Sequence, residues 1–170
     1  MANGRAVTAA ILAFLAACGE GGEDVKRTGQ PDYVRKFDQK RMDRAIAEAR
    51  STLGEFVKAL EEKRPGTSDF TIKKGFPTPG GSKEYIWISG VRLSGDGFEG
   101  RIDNEQVEAR NVKVGQVVKV SKADTVDWFY HEKGKLRGGC TIVALVYGTP
   151  EQAKYEKDLG ITWSSYGFLK

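Results

Sequence analysis

The side chains with the most chemical potential in this chain are Cys140 and His131. An imidazole within reach of a thiol, itself oriented by Asp127 or Asp124, would generate a thiolate nucleophile. That constellation defines one function class, a thiol-dependent hydrolase. Two features weigh against it. Cys140 opens a run, residues 140–147, that carries no charge, and a cysteine in apolar surroundings is ordinarily an inert core residue. His131 adjoins Glu132 and Lys133 at a turn, where a side chain is solvated. No catalytic residue is assigned.

Asp124, Asp127, His131 and Glu132 are the right types to ligate a metal, but alternation along a strand would not aim them at one point. One histidine and two cysteines provide no zinc spacing. Gly134-Lys135 lacks the phosphate-loop pattern, and no nucleophile elbow is present. Neither a metal nor a cofactor is expected. Trp87, Asp127, Trp128 and Tyr130 remain as candidate binding residues, the aromatics offering rigid contact area for a peptide, glycan or protein. Their competing role is to fill the core of a small sheet domain.

A third chemistry is covalent modification at Cys18. Arg5 gives the chain a weakly positive start, and residues 6–17 are apolar and small. Crossing a bilayer takes about 20 apolar residues, so this run suits a signal peptide instead. It ends Leu15-Ala16-Ala17-Cys18-Gly19, which looks like a bacterial lipobox. That likeness implies diacylglyceryl transfer to the Cys18 sulfur, cleavage before it and acylation of the new amine. Two or more acyl chains anchor firmly where one is marginal. Residues 1–17 are thus expected to be a lipoprotein signal peptide. Residues 18–37, polar and glycine-containing, are expected to be a flexible tether.

The remaining chain must position these residues. Apolar side chains at Met42, Ile46, Ala49, Leu53, Phe56 and Leu60 form one helical stripe. A single long helix is therefore expected, with Asp38 as N-cap and Pro65-Gly66 as the stop. Gly54 inside it would cost about 1 kcal/mol relative to alanine. Strands are expected over residues 69–76, 85–93, 98–104 and 117–120, with Ser94-Gly95-Asp96-Gly97 as a hairpin connection. Residues 140–147 are expected to be the central strand, buried on both faces. Strand 128–130 would lie beside it across a turn at Lys133-Gly134. A short C-terminal helix would start at Thr149 as N-cap with Pro150 at its first position and end at Gly160. The expected class is α+β: a long N-terminal helix on a strongly turned, mostly antiparallel sheet of five to six strands, with a short C-terminal helix. The domain would span residues 38–161. In the tail, residues 162–170, Trp163, Tyr166 and Phe168 would dock on it or face the envelope.

Several motifs then resemble one family. They are Trp87 in Tyr85-Ile86-Trp87-Ile88, Gly97-Phe98-Glu99-Gly100 leading to Asp103-Asn104, and Val114-Gly115-Gln116-Val117. Asp127-Trp128-Phe129-Tyr130, Gly138-Gly139 and Glu156-Lys157-Asp158-Leu159-Gly160 complete the set. In this order they look like the YegJ-like domain of unknown function (DUF2314). The resemblance implies a small bacterial domain, often exported or lipid-anchored, and brings no catalytic residue with it. Cys140 stands where an aromatic residue would be expected, so the thiol is not a shared feature.

The charge balance, 27 basic against 23 acidic residues, is mild and interspersed. No basic stripe tracks a phosphate backbone, so nucleic acid is not an expected partner. The sequence is read as a lipid-anchored envelope protein facing the periplasm. Its domain would act as a non-enzymatic binding module for a periplasmic protein or cell-wall component. The alternatives are the thiol hydrolase using Cys140 and His131, or a periplasmic immunity or inhibitor protein.

Overall fold

The computed structural model describes residues 38–106 and 108–170. The expected signal peptide, Cys18 and the tether lie outside the described residues. Helices α1 (Gln39–Ser51) and α2 (Leu53–Glu61) come first. Strands β1 (Thr67–Pro77), β2 (Lys83–Ser94), β3 (Gly97–Ile102), β4 (Val117–Ser121), β5 (Thr125–Glu132) and β6 (Lys135–Gly138) follow. Helices α3 (Cys140–Val146) and α4 (Gln152–Leu159) and two short 3₁₀ turns close the chain. Among the described residues no helix is long and apolar enough to cross a membrane. The class is α+β. All six strands are antiparallel, in the order β4-β3-β2-β1-β5-β6.

The N-terminal helix is broken in two, where one continuous helix was expected. Asp38 does cap α1, accepting the Arg41 amide at 3.0 Å. At Glu48 three donors converge on one carbonyl: the Thr52 amide at 3.0 Å, the Ser51 hydroxyl at 2.9 Å and the Thr52 hydroxyl at 2.7 Å. Hydroxyls that bond back to a helix carbonyl bend or end it. Thr52 leaves the helical region at ψ 5°, and the carbonyl of Ala49 becomes available to the Trp128 indole at 2.7 Å. Met42, Ala45 and Ala49 of α1 and Phe56 and Ala59 of α2 still face the core. Phe56 is its hub, with Phe70, Phe98 and Trp128 ring centroids at 5.5–5.6 Å.

Residues 140–147 are not a strand. Gly138 and Gly139 take positive φ, 73° and 69°, and turn the chain out of β6 into α3. A continuous apolar run is equally suited to a helix buried on all sides, and periodicity cannot separate the two. The centre of the sheet is instead β1 and β2, while the partner of β5 across the expected turn is the short edge strand β6. The C-terminal helix also starts later than expected. The Thr149 hydroxyl closes the preceding turn by donating to the Val146 carbonyl at 2.8 Å, and α4 begins at Gln152. Gly160 ends it at φ 61°, as expected of a left-handed cap.

The tail docks on the domain. The Glu48 carboxylate accepts the Gly167 and Phe168 amides at 3.1 and 2.7 Å. Tyr166 donates to the Gly138 carbonyl at 2.8 Å, and Tyr166 and Phe168 are buried.

Candidate functional site

Trp128 and Tyr130 lie on the sheet face that α1 and α2 cover. Tyr130 stacks with Phe70 at 5.0 Å, and Trp128 is fixed by its bond to Ala49. Trp87 packs edge-on against Phe129, centroids 5.0 Å apart. All three candidate aromatics are buried. They fill the core and present no contact platform, because the faces they project from are packed over by the rest of the domain.

Asp127 is buried as well, and its surroundings are polar. In the sheet register Lys73 is opposite Trp87 on one side and Asp127 on the other. Directly opposed residues share a face, so these three side chains form a row. The Thr141 hydroxyl donates to Asp127 Oδ2 at 2.6 Å and the Thr141 amide to the same oxygen at 2.8 Å. Asp127 Oδ1 accepts the Trp128 amide at 2.8 Å. Lys73, 1% exposed, places Nζ 3.2 Å from Thr141 Oγ1 and 5.2 Å from the Trp87 ring centre. Burial pushes the Asp127 carboxyl above the ordinary carboxylate range, while the Thr141 donors and the Lys73 charge pull against that shift. The arrangement joins β1, β5 and the start of α3. Gly139, the residue before α3, has no side chain to cap the helix, and Asp127 performs that capping from another element. Lys73 and Thr141 had no signal in the sequence: a lysine in an alternating strand reads as solvated until its register with Trp87 and Asp127 is known.

The thiol and the imidazole have separate surroundings. Burial drives the Cys140 thiol far above its usual range, and the charges of Asp127 and Glu48 add to that. A protonated thiol is a poor nucleophile. His131 Nδ1 approaches Asp69 Oδ2 at 3.3 Å without hydrogen-bond geometry. Among the described residues no hydrogen bond joins Cys140 to His131. The other acids considered as ligands diverge. Asp124 pairs with Lys74 at 3.1 Å, and Glu132 is held by Arg64 at 3.4 Å and Arg137 at 2.9 Å. Among the described residues no three candidate ligands gather around a point.

The exposed apolar side chains lie elsewhere. The connection from β3 to β4 is tied to the domain by buried acceptors. Asn104 Oδ1 takes the Trp87 amide at 3.0 Å, and the Glu84 carboxylate takes the Glu108 and Ala109 amides at 2.9 and 2.8 Å. Ala109 and Val112 are buried. The chain then turns at Gly115, φ 81°, and leaves Val114 and Val117 each 51% exposed at the start of β4. Among the described residues strand β4 ends the sheet and pairs with β3 alone. Arg101 and Glu99 of β3 are opposite Val117 and Lys119, so these four share one face. Glu99 is ion-paired with Arg92, which holds its carboxyl below the usual range. Sequence reading took Val114 and Val117 as part of a family motif and not as exposed residues; the signal was a pair of valines flanking a Gly-Gln turn.

Residues 39–163 match the family described as "Uncharacterized protein conserved in bacteria (DUF2314)". The chain is 33% identical over 116 residues to "Uncharacterized protein YegJ" of Escherichia coli (strain K12), covering 68% of this chain and 74% of that protein. It is 32% identical over 133 residues to "Putative ankyrin repeat protein NMB1133/NMB1171" of Neisseria meningitidis serogroup B (strain ATCC BAA-335 / MC58). That match covers 74% of this chain and 52% of the meningococcal protein, about half its length. No solved structure matches the chain. The chain belongs to the DUF2314 family of bacterial proteins.

Proposed function

We propose that this is an envelope protein anchored through lipid on Cys18, whose α+β domain is a non-enzymatic binding module for a periplasmic protein or cell-wall component. The observation that carries the binding role is the half-exposure of Val114 and Val117 beside the open strand β4. Most other large apolar side chains in the domain are buried, and exposed apolar residues beside unpaired backbone favour contact with a partner. The side chains best suited to catalysis point the same way, since Asp127 and Cys140 are sealed inside and engaged in structure. The anchoring half of the reading rests on the lipobox-like run ending at Cys18. An immunity or inhibitor protein would be this module with an enzyme as its partner.

The test uses the full chain in its bacterium, with a photo-reactive side chain at position 117 and, as a control, at exposed Lys154 on α4. A discrete adduct from 117 and none from 154 supports the module. Adducts from both positions, or from neither, reject this surface. For the anchor, Cys18→Ser should move the protein from the membrane to the soluble fraction; unchanged fractionation rejects lipidation.

A further inference from the structure

Strand β4 has a backbone side that no strand among the described residues uses. The Ile102 amide donates to the Gln116 carbonyl at 2.9 Å, so Gln116 faces β3. Hydrogen-bonding direction alternates along an antiparallel pair, which turns Val118 and Val120 toward β3 and Val117, Lys119 and Ser121 outward. The Ser121 carbonyl is taken by the Asp124 amide at 3.2 Å. Val117 and Lys119 are left with outward N–H and C=O groups, a ready template for a further strand. The opposite edge, β6, is four residues long and runs straight into α3 through Gly138 and Gly139.

The side chains along the β4 edge define what would fit. On the solvent face, Arg92, Arg101 and Lys119 surround one carboxylate, Glu99, which Arg92 already holds. Arg101 donates to the Gly115 carbonyl at 2.8 Å, and among the described residues neither Arg101, Lys113 nor Lys119 has an ion pair. On the other face Val118 packs against the core and Val120 is buried. A second copy of this chain paired antiparallel about the middle of β4 would set Lys119 against Lys119, and like charges directly opposed across a ladder are destabilising. Lys119 alone also guards the edge against uncontrolled pairing.

We propose that β4 takes up an extended, acidic segment of a partner protein by strand addition. The segment alternates acidic residues, set against Lys119 and Arg101, with apolar residues beside Val118. Backbone hydrogen bonds to Val117 and Lys119 supply the docking, and the alternating side chains supply the selection. This rests on the binding-module reading and narrows its partner to a protein.

The test titrates the full chain in detergent with blocked peptides of three Glu-Val repeats, three Lys-Val repeats, and three Glu-Val repeats methylated at every backbone nitrogen, which lack the ladder donors. The Glu-Val peptide should bind at least about tenfold tighter than the Lys-Val peptide, with a preference that shrinks in high salt. It should also slow amide exchange at Val117 and Lys119, and the N-methylated peptide should do neither. Lys119→Glu should reverse the order of the charged peptides. Lys119→Pro should abolish binding while the Gly100 and Ile102 amides keep their protection, because the lost N–H faces outward and proline is tolerated at such edge positions. Equal binding of the Glu-Val and Lys-Val peptides, unprotected amides at 117 and 119, or self-association of the chain would each overturn the proposal. A cellular crosslink from position 117 that survives Lys119→Pro would keep the module and remove strand addition. Loss of the crosslink at 117 in the unaltered chain would remove the module itself.

Discussion

Asp127, on strand β5, caps helix α3 through Thr141: its Oδ2 takes both the amide and the hydroxyl of that residue, at 2.8 and 2.6 Å. The helix follows Gly139, which has no capping side chain, so a carboxylate from the sheet satisfies a donor the local sequence leaves open. Lys73 completes the arrangement from β1. Four predictions follow from this and neighbouring contacts.

Removing two members of the buried network should cost less than the sum of removing each alone. Asp127→Ala leaves the Lys73 charge and the Thr141 donors unpaired and should destabilise the domain by about 3–5 kcal/mol. Adding Lys73→Met to it should cost less than the two single changes summed, by about 1–3 kcal/mol. Urea midpoints of the four proteins measure this. Additive effects would show that the lysine is independent of the carboxylate.

The two buried tryptophans should differ when changed to phenylalanine. Trp128→Phe leaves the Ala49 carbonyl without its indole donor, whereas the buried Trp87 indole N–H has no partner among the described residues to lose. Both changes remove ring volume, so Trp128→Phe should be the costlier by about 1 kcal/mol or more. Equal thermal or chemical stability of the two variants would show that the Ala49 bond contributes nothing net.

Stability should fall at alkaline pH because of Cys140. Its folded-state pKa lies far above that of an unfolded thiol, about 8.5, so above that pH the unfolded chain releases a proton that the folded one keeps. The unfolded state then binds fewer protons, and stability declines by up to about 1.4 kcal/mol per pH unit. Below the unfolded pKa both states are protonated and the effect vanishes. Cys140→Ala should flatten this part of the curve relative to the unaltered chain between pH 8 and 10, whatever its offset. Parallel curves would place an ionisable thiolate in the folded protein and reopen the nucleophile reading.

The tail should detach without unfolding the domain. Glu48→Ala removes the acceptor of the Gly167 and Phe168 amides, bonds to a charged group worth about 1.5–3 kcal/mol. Exchange at those two amides should quicken markedly while that of Ile72 and Ile88, at the sheet centre, stays slow. Simultaneous loss of protection at all four would show that the tail is an integral part of the cooperative unit.

Much of the architecture was legible because it rests on local chemistry. Asp38 at the head of an apolar stripe, Gly160 at the end of α4 and the glycine-bearing turn before Gly97 each act within a few residues of themselves. The strands around Phe70, Trp87 and Phe98 were readable from alternation and β-branched content. The break at Thr52 was less so: the stripe continues through it, and only the convergence of three donors on Glu48 separates α1 from α2. The run after Gly139 was misread because an uncharged segment fits a buried strand and a buried helix alike.

The sequence by itself determined the α+β class, the antiparallel sheet and the family, since these depend on residue types, spacings and motifs in order along the chain. Tertiary structure alone decided where the candidate residues stand. It put Trp87, Trp128 and Tyr130 in the core, paired Lys73 with Asp127 through strand register, and made residues 140–146 a helix by giving them a cap from β5. It also left Val117 and Lys119 at an open edge. Burial and register are relations between distant segments, and no local pattern encodes which strand ends up without a neighbour.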